Sequence, residues 1–264
     1  MNLFENILVP FDFSDCAKNA LIEAARLAKL HGGRVSALHV IDVIDIAGDI
    51  KEAKAGIQEE LEVLYESYQI DCTSIIIKDV PAEGIIKQLE NEAYTLCILG
   101  SHERHHLLTE LIGTIPLKVM QHAKTPILII PEPKNLIHIE QIAFATDFKK
   151  IKDHNILNYL HDLCAACSAE LHLLNVNESP QAITRKEAEE ALELHNYFFD
   201  IQHEFNFARA KNPIAGINDY VSKNEIDMLA VMPRHHSFFH NLFNDSVSEE
   251  VALNIHKPIF SFHE

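Results

Sequence analysis

The chain has 264 residues, 47% of them apolar, which is enough for sizeable cores and suits two domains of ordinary size. Its formal charge is −17 with no basic block, so its long-range field repels nucleic acid and anionic lipid; a small anion can still be held at short range by backbone N–H groups. The opening segment MNLFENILVPFD is acidic where a secretion signal is basic, and no apolar run is long enough to span a bilayer, so a cytoplasmic protein with no membrane partner is expected.

Residues 6–11 (NILVPF) form a compact apolar strand pattern that ends in Asp12, and Ser14 is placed to cap a helix. That helix shows Ala17, Ala20, Leu21, Ala24, Ala25, Leu27 and Ala28 at helical spacing, closed by Gly32-Gly33. A second strand follows at 34–41 (RVSALHVI). A variable connection over 42–56 leads to an acidic amphipathic helix around 58–68 and a third strand at 72–78. Pro81 opens another helix, with Ile85, Ile86 and Leu89 on its apolar face. The run 94–99 reads as a buried fourth strand, feeding the loop 100–114 (GSHERHHLLTELIGT) and a helix with Ile115, Leu117, Val119 and Met120. A fifth strand, 126–130 (PILII), precedes a stiff joint containing Pro131 and Pro133.

Strands alternating with helices imply β-α-β units and a parallel sheet. The chain then begins again: IEQIAFATDF at 139–148 matches FENILVPFDF at 4–13, AELHLLNV at 169–176 echoes GRVSALHV at 33–40, and 227–262 parallels 95–130. A whole-domain repeat of this kind is a tandem duplication, with domains at 1–133 and 138–264. The cysteines number five: Cys16, Cys72, Cys97, Cys164 and Cys167. Most sit in apolar patterns, and the C-x-x-C of Cys164 and Cys167 falls late in a helical segment, away from the helix N-terminus that would activate a thiol; both are expected to be reduced core thiols.

The pattern resembles the universal stress protein family in its tandem two-domain form. ILVPFDFSD stands for the family's first strand and aspartate. Gly100-Ser101-His102-Glu103, nine residues, then Gly113-Thr114 stands for the family's G-x-x-G-x9-G-[S/T], with Glu103 in place of the second glycine. The resemblance implies an α/β fold of two doubly wound domains, each with a five-stranded parallel sheet, of the adenine nucleotide alpha hydrolase-like kind. It also implies a stress-response role and, in ATP-binding members, a nucleotide at this crevice. Asp12 and Val40 would then lie by the adenine and ribose, and Gly100, Gly113 and Thr114 by the phosphates. The Glu103 carboxylate could swing outward, be offset by Arg104 and the neighbouring histidines, or be bridged to the phosphates by a divalent metal such as Mg2+.

In the second copy, Met232 or Pro233 replaces Gly100 and Asp245-Ser246 replaces Gly113-Thr114, so that crevice reads as degenerate. His102 with His106, or His236 with His240, would share a face if helical, a spacing able to bind a transition metal; solvated loop residues are the alternative. No phosphate-loop lysine motif or nucleophile elbow is present, so a binding and signalling module is expected rather than an enzyme, with slow nucleotide hydrolysis as a further reading. A ligand-free, partner-binding protein is the competing expectation. In it the two domains would pair as a pseudo-dimer through their fifth strands, 126–130 and 258–262, with further homodimerisation open.

Overall fold

Burial on both faces explains why the first strand reads as an unbroken apolar run: in β1 (Asn6–Pro10), Ile7, Leu8 and Val9 are all inaccessible to solvent. The computed structural model describes residues 2–44, 50–101, 114–131, 139–177, 184–233 and 256–263. These divide into two compact units, one carrying the first five strands and the other the last five.

In the first unit, β1 is joined by β2 (Arg34–Asp42), β3 (Asp71–Asp79), β4 (Leu96–Ser101) and β5 (Ile127–Pro131). The order is β3-β2-β1-β4-β5, and every pairing within it is parallel. The crossovers are α1 (Asp15–His31), α2 (Ile50–Tyr68), α3 (Pro81–Asn91) and α4 (Thr114–His122). Helices α1 and α2 pack together, as do α3 and α4, so both faces of the sheet are covered. Ser14 caps α1 by accepting the Ala17 N–H at 3.3 Å, and Gly32 closes it in the left-handed region at φ 68°. Helix α2 starts at Ile50, earlier than the apolar pattern announces. Its first turns, IKEAKAG, bury no side chain, and their Lys, Glu and Ala residues supply helix propensity instead.

The second unit repeats this plan with β6 (Gln141–Ala145), β7 (Glu170–Asn177), β8 (His203–Arg209), β9 (Met228–Val231) and β10 (Ile259–Ser261), in the parallel order β8-β7-β6-β9-β10. The expected α/β fold of two doubly wound, five-stranded parallel domains is thus found. A 3-10 turn (His154–Leu157) leads into α5 (Asn158–Cys167). Helix α6 (Arg185–Tyr197) starts with a capping box between Thr184 and Glu187, and Asn212 caps α7 (Pro213–Lys223). The repeat extends to α7: Pro81-x-x-Gly84 in α3 and Pro213-x-x-Gly216 in α7 occupy the same turn.

Both glycines serve one purpose. A Cβ on Gly84 would come within 3.1 Å of Val40 Cγ1, and one on Gly216 within 2.5 Å of Val176 Cγ1. In each unit, then, a valine on the second strand presses against the backbone of the third helix.

The C-x-x-C lies at the C-terminal end of α5 with Cys164 buried and both thiols free. Burial pushes the Cys167 thiol up to about 11 and Cys164 higher still, which suits packing and not redox exchange.

Candidate functional site

The carboxyl ends of β2, β1 and β4, three neighbours in the sheet, bring Val40, Asp12 and Gly100 to one edge of the first unit. Asp12 is exposed in the loop between β1 and α1. Its Oδ1 accepts from the Ser14 N–H at 3.1 Å and from the Ser14 hydroxyl at 2.5 Å, while Ser14 Oγ receives the Ala17 N–H. The carboxylate therefore holds the residue that caps α1, a structural task that needs no ligand. Val40 is half-buried, with its side chain turned to α3.

Gly100 has a local reason to be glycine. A Cβ there would sit 2.2 Å from the Cys16 carbonyl oxygen and 2.8 Å from the Ala17 nitrogen, inside the backbone of the first turn of α1. The missing side chain lets the helix N-terminus approach the end of β4, so the positive end of the helix dipole lies at the crevice. Thr114 belongs to α4 and is the first of its residues among those described. Gly113, Glu103, His102 and His106 lie outside the described residues, as do His236, His240 and Asp245. Among the described residues, no three His, Cys, Asp or Glu side chains gather to hold a metal.

Two features of this crevice leave no trace in the sequence pattern. His39 Nδ1 lies 2.7 Å from the Phe11 carbonyl oxygen, which can only accept, so Nδ1 carries the proton. Phe13 then takes a left-handed conformation, φ 67°, at a cost of about 1–2 kcal/mol for a non-glycine residue. Its ring meets Phe11 and His39 edge-on, at 5.0 and 5.1 Å between centroids. The ring also leans on α2 at Gly56, where a Cβ would be 2.9 Å from Phe13 Cε1. Together these contacts fix both flanks of Asp12.

The second unit keeps the frame and changes the chemistry. Asn175, the counterpart of His39, donates through Nδ2 to the Thr146 carbonyl at 3.0 Å, and Phe148 repeats the left-handed turn at φ 49°. Asp147, however, is engaged at both oxygens by Lys149: the backbone N–H reaches Oδ1 at 3.1 Å and the ammonium reaches Oδ2 at 3.0 Å. Met232 and Pro233 stand beyond β9 where β4 has Gly100 and Ser101. The counterpart aspartate is thus neutralised within its own loop.

Elsewhere in the second unit, histidines form polar cross-links. His154 meets Glu190 at 3.0 Å, His161 meets Asp200 at 3.0 Å, and His172, buried on β7, contacts Tyr220, Glu204 and Gln141. Burial and the Glu204 charge push the Tyr220 hydroxyl up to about 12. Among the described residues, no helix is long and apolar enough to cross a membrane.

Known proteins resemble this chain in sequence and in fold. The model of the universal stress protein family matches residues 3–131. Universal stress protein MJ0531 of Methanocaldococcus jannaschii is 25% identical, over 50% of this chain and 85% of its own length. Universal stress protein MJ0577 of the same organism is 27% identical, over 48% of this chain and 95% of its own. The crystal structure of a universal stress protein from Archaeoglobus fulgidus superposes with a TM-score of 0.76 at 20% identity, covering 100% of this chain and 98% of that one, and so shares the fold across both units. Residues 3–131 thus form a universal stress protein family domain.

Proposed function

We propose that the first unit binds ATP or a related adenine nucleotide at the carboxyl ends of β2, β1 and β4, as a cytoplasmic stress-response module working by binding rather than rapid turnover. The observation that carries this reading is the approach of α1 to Gly100: a helix N-terminus is brought to the strand end from which the phosphate loop departs. Asp12 and Val40 would flank the adenine and ribose, while Gly100, Gly113 and Thr114 would hold the phosphates; a Mg2+ ion, when bound, would offset the charge of Glu103 and the phosphates. The domains engaged are 1–133, which binds, and 138–264, which keeps the frame without the ligand. The Asp147–Lys149 ion pair supports that division, because it occupies the carboxylate that the first unit leaves exposed.

Calorimetry with ATP and Mg2+ tests the proposal. A single binding event that disappears when Gly113 is replaced by valine is the expected result. No heat with the wild type, together with no nucleotide carried through purification, overturns it.

A further inference from the structure

Unlike His154, His161 and His172, His195 and His203 partner each other, imidazole to imidazole. His195, exposed in the last turn of α6, places Nδ1 3.0 Å from Nε2 of His203, the half-buried first residue of β8, with ring centroids 5.1 Å apart. The tautomer of His203 is fixed: its Nδ1 lies 2.8 Å from the Ile201 carbonyl oxygen, so Nδ1 carries the proton and Nε2 presents a lone pair toward His195. The contact is therefore closed by the proton on His195 Nδ1.

We infer that these two side chains form a chelating site for a divalent late transition-metal ion of the zinc, nickel or copper class, which takes the place of that shared proton. With metal–nitrogen bonds of about 2.0–2.1 Å and angles of about 90–110°, two imidazole nitrogens on one ion lie about 2.9–3.4 Å apart, a range that contains the observed separation. For His195 to bind through Nδ1, its proton moves to Nε2; each ring stays neutral and no net charge is lost from the pair. His203 already makes the outer contact typical of a metal-binding imidazole, donating its other N–H to a backbone carbonyl, which orients the ring. Two imidazoles leave the remaining coordination positions to water, as expected where no third His, Cys, Asp or Glu gathers among the described residues. His161 and His154 face carboxylates and serve as internal contrasts.

The full chain is titrated with Zn2+ alone, following binding by calorimetry and the imidazole nitrogens by NMR. Zinc is expected to shift His195 Nδ1 and His203 Nε2. His195→Gln or His203→Gln is expected to weaken that binding event by at least about tenfold, as even outer-contact losses at metal sites cost 10–100-fold. His161→Gln should leave it unchanged. Because His195 is exposed, its glutamine variant folds without loss of core packing, and a thermal melt confirms it. If zinc binds His195→Gln as tightly as wild type, or leaves the two nitrogens unshifted, the ion belongs to other histidines and the assignment is wrong.

Discussion

His39 Nδ1 donates to the carbonyl oxygen of Phe11 at 2.7 Å, tying the end of β2 to the loop that carries Asp12. The second unit reaches the same end with an amide, Asn175 to Thr146 at 3.0 Å. His39→Asn should therefore preserve loop geometry and nucleotide affinity, whereas His39→Ala loses one hydrogen bond worth about 1 kcal/mol, or roughly fivefold in affinity. ATP calorimetry on the two variants checks this. Equal weakening in both would show that the imidazole is needed for something other than its donor.

Gly100→Ala and Gly84→Ala offer a contrast in what a single methyl group meets. At Gly100 the methyl would enter the α1 backbone at 2.2 Å from the Cys16 oxygen, and neither element can yield without moving the helix. Urea denaturation should show a loss of about 1–3 kcal/mol or more. At Gly84 the neighbours are the side chains of Val40, Ile77 and Asp79 at 3.0–3.1 Å, which can shift by tenths of an ångström. Alanine also gains about 1 kcal/mol of helix propensity there, so the net change should be near zero.

Acid should act on the first unit through Asp79. This carboxylate accepts from Lys87 at 2.7 Å and from the Val80 N–H at 2.8 Å, and the Lys87 hydrogen bond is the main cause holding its pKa below the usual value. A lowered folded-state pKa means stability that is complete above the unfolded-state value, about 3.9, and is lost as pH falls toward the folded-state one. The wild-type urea midpoint should thus drop more steeply between pH 5 and 3 than that of Asp79→Asn. The pair is partly exposed, so the difference is small and shrinks in high salt.

Thiol titration separates packing from redox use for Cys164 and Cys167. With burial holding the Cys167 thiol near 11, and Cys164 above it, neither yields appreciable thiolate at pH 8. A disulfide reagent should modify Cys167→Ser and wild type to the same fast-phase extent. A lost fast-reacting equivalent in the variant would contradict the packed arrangement.

The sequence exposes the first unit well because β1 and β5 are buried on both faces and α1 is marked at each end, by Ser14 and by Gly32. Strand β8 is harder to read. HEFNFAR alternates polar and apolar residues at the end of its sheet, so it lacks a continuous apolar run, and the short helix α7 behind it buries only Ile214, Gly216, Ile217 and Val221. At the crevice, Asp12, Val40 and Gly100 are identifiable by their places at strand ends. What holds them is not, because the bond from His39 spans 28 residues and the left-handed turn of Phe13 contradicts the preference of an aromatic side chain. Gly100 reads from sequence as room for a ligand, whereas the atoms nearest its absent Cβ belong to α1.

The valine and glycine that meet in each unit, Val40 with Gly84 and Val176 with Gly216, carry a consequence for divergence. Met232 and Asp245-Ser246, which stand in the second copy where the first has Gly100 and Gly113-Thr114, could each be substituted one residue at a time. A knob seated in a notch is held more tightly: Gly84 can admit a single methyl, but at Gly216 even that methyl meets Val176 at 2.5 Å, any larger side chain collides with the knob in both units, and shrinking the knob leaves a hole. The two must change together or stay. In chains of this architecture whose loops have decayed beyond recognition, a Pro-x-x-Gly helix start facing a β-branched residue on the second strand should remain as the more durable record of the duplication.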